Sequence, residues 1–208
     1  LSACSPRKIS MATYKHLYLR ATIIKAMRAF FHEHDFLEVD TPCRIPAPMP
    51  EAAIIPQPAG DWFLQTSPEI CMKRLLAAGL PRIFQICHTF RKGERGRRHL
   101  PEFTLAEWYA RDYSYIDLMA DTEALLRRVA EAAGCPEVLY YQRHAIDLAP
   151  PWPQMTVKDA FDRFVSVPMD RALAEGRFDD VMGCDIEPRL GWDQIGRASC
   201  RERVCHRV

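Results

Sequence analysis

Apolar residues recur at helical spacing over the first long element of the chain, from about Tyr14 to His34. One row holds Leu17, Ala21, Ile24 and Phe31, and a second row holds Ile23, Ala26 and Phe30. Two apolar rows make a wide hydrophobic face. We therefore expect a long helix that is buried on more than one side.

Short extended elements follow this helix. Residues 36–40 predict a strand that Pro42 stops, and the proline-rich segment 43–60 predicts an irregular excursion within the domain. Residues 62–66 predict a second short strand. Ser67-Pro68-Glu69 is a helix start, because Ser67 can cap the helix, Pro68 suits its first position and Glu69 meets the positive dipole end. Gly79 ends that helix.

A hairpin and further helices complete the pattern. Arg82 to Arg91 and Glu102 to Tyr109 predict two strands joined by a long, mobile loop with two glycines. Residues 116–133 predict an amphipathic helix that Gly134 closes. Residues 144–148 predict a strand, and residues 156–159 a capped helix start. The mixture indicates an α+β domain with an antiparallel sheet flanked by helices.

Composition narrows the class of protein. Lys and Arg number 28 and Asp and Glu 27, a net charge of +1, so a polybasic nucleic-acid binder is not expected. No apolar run approaches the ~20 residues of a membrane span, and Leu1 to Lys15 lacks a secretory signal. The eight cysteines include no C-x-x-C pair, so Cys71 and Cys87 are expected in the core of a cytoplasmic protein.

The last 14 residues differ from the rest. Residues 195–208 hold four arginines and two cysteines without helical or strand periodicity. Cys200, Cys205 and His206 do not have the spacing of a zinc site, so no metal site is predicted. We expect this tail to be a non-native extension and exclude it from the fold.

The chemistry concentrates in the hairpin. Arg91 and Glu107 are charged residues within otherwise apolar strands, where burial is costly without a partner. Five basic residues between 91 and 98, against Glu94 alone, give the loop a local charge of +4, and His99 follows. Two explanations stay open: an ordinary ion pair with a solvated basic loop, or a loop that closes over an anion such as a polyphosphate.

These residues resemble a known family. Phe90 to Thr104 looks like motif 2 of the class II aminoacyl-tRNA synthetases, and Leu105-Ala106-Glu107-Trp108-Tyr109 has the form of the lysine-type branch. Residues 36–42 resemble motif 1, and residues 66–76 resemble the segment that meets the amino acid. The three motifs stand in family order between Tyr14 and Gln194. Within the family, the resemblance is strongest to the elongation factor P lysine ligases, which lysylate a protein.

The resemblance implies roles for these residues. Arg91 is the catalytic residue, holding the α-phosphate of ATP near the substrate carboxylate, with Mg²⁺ bridging the phosphates. The implied ATP-binding residues are Arg91, Lys92, Gly93, Glu94, His99 and Leu100. The implied substrate-binding residues are Ser67, Pro68, Glu69, Glu107 and Tyr109, which suit a diamine. The motif 1 helix and Pro42 imply a homodimer.

The resemblance also implies a domain order and a function. We expect a short lead (1–13), then the N-terminal part of a class II catalytic core (14–194), incomplete because motif 3 is expected after it. The implied function is ATP-dependent activation of lysine or β-lysine and transfer to a lysine of elongation factor P. Two alternatives remain: a lysyl-tRNA synthetase core acting on tRNA, and a non-catalytic synthetase-like module that dimerises or regulates.

Overall fold

Helices and short sheets alternate in the computed structural model, which describes residues 11–96, 99–141 and 143–181. The elements in chain order are α1 (Met11–Glu33), β1 (Leu37–Glu38), β2 (Arg44–Ile45), β3 (Gln57–Ala59), β4 (Trp62–Leu64), α2 (Glu69–Ala77), β5 (Arg82–Phe90), β6 (Glu102–Ala110), α3 (Tyr115–Ala132), β7 (Val138–Tyr141), β8 (His144–Asp147), α4 (Val157–Phe164), α5 (Met169–Ala174) and α6 (Phe178–Val181). The α+β class predicted from the sequence is confirmed.

Helix α1 confirms the first predicted element but not its burial. Its last turns are buried through Phe30 and Phe31. In its first half, Leu17 and Tyr18 are 55% and 76% exposed. The prediction of burial on more than one side is therefore wrong for that half, because α3 packs against the later part of α1, where Arg128 pairs with Glu33 at 3.2 Å.

The largest described sheet has the order β1–β5–β6. Its hairpin confirms the predicted strands: the Arg91 amide donates to the Pro101 carbonyl, and the Arg111 amide to the Pro81 carbonyl, both at 2.8 Å. Strand β1 lies parallel to β5, with Leu37 opposite Ile83. The sequence predicted an antiparallel sheet, and the parallel pairing of β1 with β5 departs from it. This pairing was missed because it joins segments that are far apart in the sequence.

The predicted irregular excursion is confirmed for residues 46–55, but both ends of the proline-rich segment contribute strands to a second sheet, of order β2–β4–β3. Arg44 and Gln57 both pair antiparallel with Leu64. The prolines are compatible with this sheet because Pro58 lies in its edge strand, where a missing donor is tolerated. The sheet leads directly into residues 65–69, which are part of the predicted substrate segment.

The helix starts follow local side-chain chemistry. The Ser67 hydroxyl accepts a hydrogen bond from the Glu69 amide at 3.1 Å, as the capping prediction requires. Helix α3 begins with a capping box, in which the Ser114 hydroxyl accepts from the Asp117 amide and the Asp117 carboxylate accepts from the Ser114 amide.

The described residues fall into two compact units. The first comprises 11–40, 72–85 and 107–152, with an aromatic core of Phe31, Phe84 and Trp108. The second comprises 41–71, 86–106 and 153–181. Its last part packs α4 to α6 around Phe161 and Met169.

Two observations bear on the remaining predictions. No helix among the described residues is long and apolar enough to cross a membrane. The tail that the sequence analysis set aside, with Cys200, Cys205 and His206, lies outside the described residues. So does the predicted end of the core at residue 194.

Candidate active site

Arg91 directly follows the last residue of β5 and is half-buried. Its Nε donates to the Thr66 carbonyl at 3.3 Å, and the guanidinium lies 5.1 Å from the centre of the Phe103 ring. Within the described ranges Arg91 forms no ion pair. The ordinary ion pair that the sequence left open is thus not formed there. A carbonyl and a ring orient the arginine without neutralising its charge, so it can attract an anion.

The loop after Arg91 is tied to its surroundings at several points. The Lys92 amide donates to the Ile55 carbonyl at 2.8 Å, and the Gly96 amide to the His99 carbonyl at 3.1 Å. Gly93 has a φ of +80°, which favours glycine over any residue with a side chain. These bonds give the base of the predicted mobile loop a defined course; Arg97 and Arg98 lie outside the described residues.

Glu94 is the unusual member of this loop because its side chain is only 6% exposed. One carboxylate oxygen, Oε1, is buried with no hydrogen-bond partner among the described residues. A buried carboxylate oxygen without a donor is costly, and such groups concentrate where a ligand supplies the missing partner. The neighbouring predicted contacts differ in exposure: Lys92 and Leu100 are exposed, and His99 is half-buried.

The predicted substrate segment forms the start of α2. Pro68 is fully buried, while Ser67 and Glu69 are half-buried. Glu69 lies in the first turn of the helix, where the dipole stabilises its negative charge. A carboxylate at this position is suited to an ammonium group.

Glu107 and Tyr109 form a pair on β6. The Tyr109 hydroxyl donates to Glu107 Oε2 at 2.9 Å, and both side chains are half-buried. A carboxylate oriented by a hydroxyl in this way is a group type that binds amines. Glu107 and Tyr109 belong to the first compact unit and Arg91 to the second.

Two of the groups around Arg91 were not among the predicted site residues. Phe103 could have been found, because strand alternation places it among the apolar positions that flank the basic loop. Thr66 acts through its backbone carbonyl, which every residue possesses. The sequence analysis placed residue 66 at the start of the predicted substrate segment, but no sequence signal could identify its carbonyl as the partner of Arg91.

The chain belongs to the family of class II tRNA synthetases (D, K and N), whose model matches residues 8–194. These are ligases, and the family implies use of ATP. A nucleotide suits the half-buried Arg91, which has no ion-pair partner among the described residues.

Among curated proteins, the chain is 38% identical over 146 residues to the elongation factor P–(R)-β-lysine ligase of Enterobacter sp. (strain 638), covering 64% of this chain and 45% of that protein. It is 40% identical over 144 residues to the ligase of the same name from Baumannia cicadellinicola, covering 64% of this chain and 44% of that protein. The chain thus spans less than half the length of these relatives.

A solved structure agrees on the fold. The asparaginyl-tRNA synthetase from Pyrococcus horikoshii, complexed with asparaginyl-adenylate, matches with a TM-score of 0.51 at 23% identity, covering 56% of this chain and 28% of that chain. At this identity the match shows the class II synthetase-like fold alone.

Proposed function

We propose that the intact protein activates lysine or (R)-β-lysine with ATP and transfers it to a lysine side chain of elongation factor P in the cytoplasm. In the first step the substrate carboxylate attacks the α-phosphorus of ATP, and pyrophosphate leaves. No side chain of the protein has to act as a nucleophile, so its contribution is positioning and electrostatic stabilisation.

The proposal rests on the burial, the orientation and the uncompensated charge of Arg91. Arg91 is half-buried, its guanidinium is oriented by Thr66 and Phe103, and it forms no ion pair in the described ranges. Negative charge grows at the α-phosphate during adenylation, and a preoriented cation stabilises it most effectively in a partly desolvated site. Lys92, Gly93, Glu94, His99 and Leu100 would complete the nucleotide contacts, and Mg²⁺ bound with the nucleotide would supply further positive charge against the phosphates.

Three acidic or phenolic groups support an amine-bearing substrate. Glu69 at the start of α2 and Glu107, oriented by Tyr109, offer carboxylates to a side-chain or β-amino group. Ser67 and Pro68, which precede Glu69 at the helix start, are the other proposed substrate-binding residues of that segment. Charge-assisted hydrogen bonds of this kind discriminate against a substrate that lacks the amine, because no ammonium group then compensates for the desolvation of the carboxylate.

Elongation factor P is the proposed acceptor because the similar curated proteins carry it in their names. The net charge of +1 also supports a protein acceptor, since a tRNA-binding protein uses a broad basic surface against the phosphates.

A lysyl-tRNA synthetase is the second candidate. The matched family model includes tRNA synthetases, and the exposed Lys92 and Arg95 lie next to Arg91, where an RNA end could contact them.

The deciding experiment offers the full-length protein ATP, labelled lysine or (R)-β-lysine, and either elongation factor P or bulk tRNA. We expect label on the factor and none on tRNA. A factor variant with its acceptor lysine replaced by arginine is the control and should stay unlabelled. Label on tRNA alone would establish the second candidate, and no pyrophosphate exchange with either lysine or (R)-β-lysine would favour a non-catalytic module.

We also propose a homodimer through α1 and the segment ending at Pro42. The exposed Leu17 and Tyr18 in the first half of α1 support it, because neighbouring apolar side chains favour an interface. Sedimentation of wild type and Leu17→Asp should give a dimer and a monomer, respectively. Equal masses would contradict this interface.

A further inference from the structure

Gln65, between β4 and α2, connects two parts of the second compact unit through its backbone. Its amide donates to the Cys43 carbonyl at 2.8 Å, and its carbonyl accepts from the Phe90 amide at 2.9 Å. Gln65 is therefore hydrogen-bonded through its N–H to Cys43, the residue before β2, and through its carbonyl to Phe90, the last residue of β5. Arg91 follows directly after that last residue.

The side chain of Gln65 reinforces the same connection. It is 1% exposed, and its Nε2 donates to the His88 carbonyl at 3.0 Å. The sulfur atoms of Cys87 and Cys43 lie 3.5 and 3.6 Å from the same nitrogen. Its Oε1 has no partner among the described residues. Burying the Gln65 amide costs desolvation free energy that an apolar side chain would not cost. What glutamine provides at this position, and an apolar side chain cannot, is the hydrogen bond to the His88 carbonyl.

The next residue along the chain is the one that orients Arg91. The Thr66 carbonyl accepts from Arg91 Nε, and Thr66 itself is 2% exposed. Gln65 is bonded to Phe90 through its backbone and to His88 through its side chain, so it fixes the Thr66 carbonyl relative to the end of β5. We propose that Gln65 is a positioning residue that sets the orientation of the Arg91 guanidinium. The catalytic part of this inference rests on the proposed function.

A positioning role differs from ordinary core packing in what its loss affects. Displacing a reacting or charge-stabilising group by about 1 Å can lower a rate about 10²-fold, whereas a packing defect elsewhere lowers stability and leaves kcat unchanged. The group to remove is the side-chain amide of Gln65. Methionine has similar length and flexibility but no N–H donor, so Gln65→Met removes the bond to His88 and keeps the volume.

The kinetic experiment uses full-length protein and lysine-dependent pyrophosphate exchange. We expect kcat for Gln65→Met to fall about tenfold or more. The matched control is Leu125→Ala, which removes a buried side chain of α3 in the other unit and should lower Tm without lowering kcat. In an Arg91→Lys background, where no Nε can bond to Thr66, Gln65→Met should change kcat less than about twofold. Equal effects of Gln65→Met in both backgrounds would overturn the proposal.

A second readout does not depend on activity. The ¹⁵N Nε–Hε resonance of Arg91, identified by its loss in Arg91→Lys, should move towards the resonances of exposed arginines in Gln65→Met. An unchanged resonance would overturn the positioning role whatever the kinetics show. Absence of pyrophosphate exchange in wild type would instead refute the proposed function and leave this resonance to decide the role of Gln65. If Gln65→Met does not fold, Gln65→Asn, which shortens the amide by one methylene, replaces it in both measurements.

Discussion

Replacing Arg91 by alanine removes the cation at the start of the basic loop. Among the described residues this guanidinium is oriented by a carbonyl and a ring and forms no ion pair. The substitution deletes a hydrogen bond to the Thr66 carbonyl and a contact with the Phe103 ring. It introduces no charge and no bulk. We therefore expect a folded protein that cannot stabilise the α-phosphate of ATP during adenylation.

The two consequences differ greatly in size. A hydrogen bond of 3.3 Å contributes about 1 kcal/mol and a partly exposed cation–π contact about 0.5–1 kcal/mol. For a domain of this length the sum corresponds to a Tm lowered by about 3–8 °C, which leaves the native state populated. Loss of a preoriented donor at the developing charge lowers kcat by about 10²–10³-fold. The rate should therefore fall far more than the stability.

Arg44→Ala is the matched control. Arg44 Nε donates to the Ala59 carbonyl at 3.0 Å, and its guanidinium lies 5.0 Å from the centre of the Trp62 ring, so its contacts are of the same two kinds. Both variants are assayed in the full-length protein by lysine-dependent pyrophosphate exchange and thermal unfolding. We expect similar losses of Tm and a large loss of exchange for Arg91→Ala alone. Exchange by Arg91→Ala within about threefold of Arg44→Ala would refute the assignment of Arg91 to the nucleotide site.

Two further predictions test the amine pocket and a half-buried carboxyl. The full-length protein should activate lysine at least about 10²-fold more efficiently than norleucine, which lacks the terminal amine. Glu107→Gln should reduce this ratio of activation efficiencies. Comparable activation of both amino acids by the wild type would contradict the assignment of Glu107 to an amine-binding pocket. Burial raises the pKa of Asp121, with His34 and Arg82 opposing the shift. Because the pKa of Asp121 is higher in the folded than in the unfolded state, stability falls as the pH rises from the unfolded pKa through the folded pKa. Asp121→Asn should therefore raise Tm at pH 7. At an acid pH where Asp121 is protonated in both states, the substitution should have little effect on Tm. An equal or lower Tm at pH 7 would contradict it.

The hairpin and the helix starts were predictable from sequence because they depend on near neighbours. Alternation marked β5 and β6, and the basic run between them marked the loop. Ser67 could be assigned as a cap because its partner is the amide two residues ahead. The family motifs are likewise contiguous, and they placed the candidate residues on these elements.

Tertiary structure decided what Arg91 contacts and which charges are buried. Nothing near Glu94 in the sequence separates it from its exposed neighbours, yet its side chain is buried. The parallel pairing of β1 with β5 and the exposure of the first half of α1 depend on segments that are distant in the chain.

The surroundings of Arg91 show the same division. Its identity as the candidate anion-binding residue came from the sequence, because a charged residue ending an apolar strand beside a basic loop is a local pattern. Its orientation by Thr66, and the connection of Thr66 to β5 through Gln65, came only from the fold. A backbone carbonyl is the same in every residue, so only the folded chain selects the one that meets the guanidinium.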